Sequence, residues 1–103
     1  MIKEDILFDL ATFYKVFSDE TRLKILFVLL DHAYCVGEIV EKTQVSQSAV
    51  SHQLRTLRQL NLVKVKKEGK EVYYQLSDHH IAIILEYGLN HINERGKENE
   101  KED

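Results

Sequence analysis

The apolar residues of this chain change their spacing partway along and then change back, which limits the folds it can adopt. From Ile6 to Leu60 they recur every three or four residues, as on helix faces. Val63 and Val65 then alternate with Lys64 and Lys66, while Val72, Tyr74 and Leu76 alternate with Glu71, Tyr73 and Gln75. Two runs of period two, separated by Lys67-Glu68-Gly69-Lys70, predict a β-hairpin. Helical spacing returns after Ser77-Asp78 with Ile81, Ile84, Leu85, Tyr87, Leu89 and Ile92.

The helical part divides further. Ile6, Leu10, Phe13, Tyr14 and Phe17 mark a first helix, and Ser18-Asp19-Glu20 supplies a stop, an N-cap and an acidic first turn. Leu23, Leu26, Phe27 and Leu30 mark a second helix, and Val36, Ile39 and Val40 a short third. Thr43-Gln44-Val45-Ser46 reads as a turn in which Ser46 caps a fourth helix carrying Val50, Leu54, Leu57 and Leu60. Four helices, a hairpin and a last helix give an α+β winged helix-turn-helix, mostly helical with a two-stranded wing. With 103 residues there is room for one domain. It is expected over residues 1–95, combining DNA binding with dimerisation, and 96–103, GKENEKED, form a charged flexible tail.

Charge is unevenly placed. The chain is −3 overall, yet residues 46–70 carry Arg55, Arg58, Lys64, Lys66, Lys67 and Lys70 against Glu68 alone. A basic quarter inside an acidic protein points to one phosphate-binding surface. On the fourth helix Val50, Leu54 and Leu57 face inward, leaving Gln47, Ser48, Ser51, His52 and Arg55 outward. These short or flat polar side chains suit base edges and nearby phosphates in double-stranded DNA. Lys66, Lys67 and Lys70 on the wing would reach the DNA backbone beside the groove. Cys35 is the single cysteine, so no internal disulfide forms. The longest apolar run, Ile25 to Leu30, cannot cross a bilayer, and the N-terminus has no basic-then-apolar signal. The expected location is cytoplasmic, with no membrane partner.

Four stretches resemble the ArsR/SmtB family of bacterial metal-responsive repressors: SDETRLKIL (18–26), CVGEIVEK (35–42), VSQSAVSHQLRTLRQLNLVK (45–64) and GKEVYYQLSDHH (69–80). The resemblance runs in register from about residue 10 to residue 95. It implies a homodimer that represses transcription from an operator and lets go when metal binds, with DNA contacts on Gln47, Ser48, Ser51 and His52. Some members carry a second, thiolate-rich site. Cys35 and Glu38 match part of it, but the first seventeen residues hold neither Cys nor His. That site is expected to be absent and Cys35 to be a small buried apolar residue.

Asp78, His80, His91 and Glu94 form D-x-H-x10-H-x2-E on the last helix. Eleven residues bring His80 and His91 within roughly 20° on one helical face but separate them by about 16 Å along the axis. One chain therefore cannot place both on one ion. Two chains can, if their last helices pair antiparallel about a two-fold axis. The pair 80 and 91 is centred on 85.5 and the pair 78 and 94 on 86, so one symmetry point serves both. His80, Ile84, Tyr87 and His91 follow the seam of a helix–helix contact. Two metal sites per homodimer follow, each with Asp78 and His80 from one copy and His91 and Glu94 from the other.

Two imidazoles and two carboxylates favour a closed tetrahedral Zn²⁺ site, with Co²⁺ as a substitute. The alternatives are a purely structural zinc site and a different effector metal, nickel or cobalt. Asp78 could equally be an N-cap, and His91 with Glu94 a solvated pair. His79 is rotated about 100° from His80 and is expected to point elsewhere. Four ligands on a helix seam leave no open position or general base, so no enzyme is expected. The same four positions match the family's last-helix ligands. In that family the histidine matching His91 reaches the backbone near the end of the recognition helix, here around Asn61.

Overall fold

A computed structural model describes the backbone of residues 1–102 and the side chains of residues 1–96. The charged tail expected over 96–103 falls, from residue 97 onward, outside the described side chains. The elements are α1 (Glu4–Lys15), a 3₁₀ turn (Val16–Ser18), α2 (Glu20–Val28), α3 (Val36–Thr43), α4 (Gln47–Gln59), β1 (Val63–Glu68), β2 (Glu71–Leu76) and α5 (His79–Glu102). Five helices and a two-stranded antiparallel sheet reproduce the expected α+β winged helix-turn-helix.

Local chemistry sets most boundaries. Asp19 caps α2 by accepting the Arg22 N–H at 3.0 Å. Ser46 caps α4 by accepting the Ala49 N–H at 3.2 Å. Between α3 and α4 the chain turns through Gln44 at φ 60°, a left-handed position at a helix C-terminus. Thr43 supports the turn, donating to the Ile39 carbonyl at 2.7 Å and accepting the Val45 N–H at 3.2 Å.

The far end of α4 closes in a Schellman motif. Asn61, at φ 62°, donates to the Arg58 carbonyl at 3.1 Å, and Leu62 to the Leu57 carbonyl at 2.9 Å. Leu57 and Leu62 are both buried, which supplies the apolar contact that accompanies this motif.

The hairpin is longer than its period-two runs suggest. Lys67 and Glu68 pair with Val72 and Glu71, so the strands extend to a two-residue turn at Gly69-Lys70. Gly69 sits at φ 61°, the handedness that lets a two-residue turn follow the twist of its strands. A side chain there meets no neighbour but strains the backbone, so Gly69→Ala is expected to cost about 1–2 kcal/mol. Gly37 lies in the first turn of α3 with equal space and no such φ. Gly37→Ala is expected to stabilise by up to about 1 kcal/mol. Urea unfolding of both variants checks the opposite signs.

One core serves all the elements after α1. Ile25, Leu26, Ile39, Val50, Leu54 and Leu57 join α2, α3 and α4, and Ile81 and Leu85 bring in α5. Tyr34 and Tyr74 exchange backbone hydrogen bonds at 2.9 and 2.8 Å, which ties the α2–α3 connection to the wing. Helix α1 behaves differently: none of its residues is buried. Phe13, and Phe17 just beyond α1, pack edge-on at 5.3 Å against each other and lean on the core, but Phe8 is 72% exposed and Ile6 53%. Tyr87 on α5 is 71% exposed. Apolar surface of this extent on two helices marks an interaction face.

Candidate nucleic-acid interface and metal centre

Helix α4 is held from behind and open in front. Val50, Leu54 and Leu57 anchor it, and Arg22 of α2 donates through Nε to the Gln53 carboxamide oxygen at 2.9 Å. Gln47, Ser48, His52 and Arg55 are exposed, and Ser51 is half-buried. Ser48 Oγ lies 3.4 Å from Ser46 Oγ, so the cap and the first outward turn share one hydroxyl pair. Gln47, Ser48, Ser51, His52 and Arg55 therefore stand on one polar face at the N-terminal half of α4. Exposed Arg58 falls on the same face one turn further, with Ser51, Arg55 and Arg58 within roughly 60°. The i, i+3 spacing from Arg55 is the signal that adds it to the candidate contacts.

The wing is less uniform than its lysine count implies. Register puts Val63, Val65 and Lys67 on one face with Leu76, Tyr74 and Val72. Lys64, Lys66 and Glu68 share the other face with Gln75, Tyr73 and Glu71. Lys66 and Lys67 thus point to opposite sides, and Lys70 sits in the turn. Lys66 Nζ is 3.3 Å from Glu68 Oε1, the only ion pair of a Lys or Arg among the described residues. An exposed pair of this kind is weak. Tyr73 stays neutral beside Lys66: partial desolvation first, then the Cys35 thiol and the Glu38, Glu71 and Glu68 carboxylates, push its phenol above the ordinary value.

On α5, Asp78 occupies the cap position, and its Oδ1 accepts the Ile81 N–H at 3.3 Å. The same oxygen lies 3.6 Å from His80 Nδ1, so Asp78 and His80 are neighbours at one end of the helix. Their side chains are 55% and 87% exposed. His91 and Glu94 are exposed as well, further along the same unbroken helix. Helical geometry places His80, Ile84, Tyr87, His91 and Glu94 in a stripe about 80° wide, beside the buried line of Ile81 and Leu85. Among the described residues, no three His, Cys, Asp or Glu side chains of one chain meet at a point that could hold an ion. The donor set of two imidazoles and two carboxylates suits a borderline divalent cation. Within one chain it forms two half-sets at opposite ends of a stripe.

His79 lines a shallow polar pocket of about 330 Å³ with Asp31, His32 and Lys64, away from the stripe. His91 edges an apolar groove of about 540 Å³ with Phe17, Leu23, Phe27 and Ile92. Cys35 is half-buried rather than buried and starts α3. Glu38 accepts its N–H at 3.0 Å, and that backbone bond above all holds the Glu38 carboxyl below its ordinary pKa. At Asn61 the described contact comes from another residue. The Asn61 carbonyl accepts the Ser77 hydroxyl at 2.5 Å, while His91 faces the groove.

The profile of the bacterial regulatory proteins of the arsR family matches residues 19–65. A cadmium resistance transcriptional regulatory protein CadC homolog from Staphylococcus aureus is 40% identical over 84 residues, 81% of this chain and 69% of that protein. This chain belongs to the ArsR family. A transcriptional repressor SmtB homolog from Synechocystis sp. is 38% identical over 85 residues, 82% of this chain and 64% of the homolog. The chain therefore spans about two thirds of the length of these ArsR relatives. Among solved structures, the AntR antimony-specific transcriptional repressor aligns with a TM-score of 0.84 at 26% identity, over 94% of this chain and 88% of that one. These relatives are regulators of transcription and none is an enzyme. The family profile ends at Val65, so it covers α2 through the start of β1 and stops short of the α5 stripe. No helix among the described residues is long and apolar enough to cross a membrane.

Proposed function

We propose that this ArsR-family chain is a transcriptional repressor that binds operator DNA as a metal-free homodimer and is released by zinc at inter-subunit sites on α5, with cobalt(II) as a substitute. Asp78 and His80 of one copy, with His91 and Glu94 of the second, would hold each ion, giving two per dimer. The observation that carries the reading is the exposed α5 stripe, whose two ligand half-sets lie too far apart for one chain to close. The stripe includes exposed Tyr87, which a second copy would cover. Gln47, Ser48, Ser51, His52 and Arg55 would read and grip DNA, and Lys66, Lys67 and Lys70 would meet phosphates.

Cadmium and antimony appear in the names of relatives. Soft ions of that kind favour several thiolates, and this chain has one cysteine. Nitrogen and oxygen donors support zinc instead. The bound ion would supply a cross-link between two helices, and regulation requires that it favour one dimer arrangement over another.

The test uses a duplex selected from random sequence by the chelated protein. DNA affinity is then measured at fixed salt without metal and with zinc, cobalt or nickel. Zinc is expected to weaken binding about 5–150-fold, the usual range of such coupling. Arg55→Ala is expected to lower metal-free affinity by about 1–3 kcal/mol, and Lys70→Gln to reduce the salt slope by about one. Zinc that binds at two per dimer and leaves DNA affinity unchanged would make the site structural. Reporter expression that rises with operator occupancy by the protein would identify an activator.

A further inference from the structure

Between the recognition helix and the metal-ligand stripe stands one residue, Ser77. The Schellman end of α4 leaves the Asn61 and Leu62 carbonyls outside the helical ladder. Ser77 takes both: its hydroxyl donates to the Asn61 oxygen at 2.5 Å, and its N–H to the Leu62 oxygen at 3.0 Å. Two bonds from one residue to consecutive carbonyls tie the α4 terminus to the start of α5. The next residue is Asp78, which caps α5 and lies 3.6 Å from His80. The left-handed φ of Asn61 turns its carbonyl off the helix axis, where no other described hydrogen bond reaches it.

We propose that Ser77 is a positioning residue that carries a shift of the Asp78–His80 end of α5 to the recognition helix within one subunit. This rests on the metal-responsive reading above and names the contact through which that response travels. The backbone bond to Leu62 would persist in any variant but proline. The hydroxyl is therefore the part that the sequence adds, and Ser77→Ala removes it alone. Ser77 is half-buried, so the change opens no deep cavity.

The test compares wild type, Ser77→Ala and Ser77→Thr as full chains, with zinc as the probe. Three quantities are read: metal-free DNA affinity, zinc stoichiometry, and the ratio of DNA affinities without and with zinc. Amide exchange at Asn61 and Leu62, followed with and without zinc, reads the same contact without DNA. Ser77→Ala is expected to keep two zinc ions per dimer and metal-free DNA affinity within about twofold. Its zinc-dependent ratio is expected to fall about fivefold, the worth of one hydrogen bond. Ser77→Thr, which retains the hydroxyl, is expected to restore both the ratio and the exchange response. A wild-type response kept whole in Ser77→Ala overturns this proposal alone. A wild type whose DNA affinity ignores zinc overturns the functional reading, and this proposal with it.

Discussion

An equimolar mixture of His80→Ala and His91→Ala chains, unfolded and refolded together, is expected to regain tight zinc binding that neither variant has alone. In the proposed arrangement each wild-type site draws His80 from one copy and His91 from the other. Either substitution therefore damages both sites of its own dimer. Losing a direct ligand should weaken zinc by more than about 100-fold, beyond the cost of losing a supporting group. In the mixed dimer the two defects fall together in one site, and the second site keeps both imidazoles. If chains pair at random, half the dimers are mixed, and the mixture recovers about a quarter of the wild-type sites. Competition against a coloured chelator measures this directly. Recovery requires antiparallel sharing of the stripe. A mixture no better than its separate components would mean that the ion is held within one chain or by other side chains.

Leu54→Ala is expected to cost about 2–5 kcal/mol of folding stability. Leu54 is 1% exposed and sits under the outward face of α4, among Val50, Leu57 and the α2 and α3 core residues. Truncation there leaves a cavity that the flanking helices cannot close without moving the polar face they support. For a chain of this size each kcal/mol shifts the melting temperature by about 4–8 °C. Leu60, 40% exposed at the C-cap of α4, is the control, and Leu60→Ala should stay within about 0.5 kcal/mol. Melting must be compared at one protein concentration, because association adds to apparent stability. A Leu54→Ala protein as stable as the control would mean that α4 is not anchored as described.

The elements were legible where a side chain makes the boundary. Asp19 and Ser46 cap α2 and α4 as their positions predict, because a short acceptor before an apolar helical run has few other uses. The period-two runs located the hairpin but not its length, since Lys67 and Glu68 carry no apolar signal and are recruited by the turn at Gly69. Asp78 proved to be a cap, and its 3.6 Å approach to His80 keeps it beside the ligand position. The opposite facing of Lys66 and Lys67 follows from alternation and is hidden by counting charges. The hydroxyl contact of Ser77 with Asn61 was not legible. It joins residues sixteen apart, and a serine before a helix reads only as local punctuation.

Helix α1 buries none of its residues within its own chain. A regulator that shields this helix only by pairing makes cellular copy number a second input. Dilution by growth without new synthesis would silence part of the pool at constant metal. Promoter strength and gene dosage would then set the threshold at which the metal begins to matter.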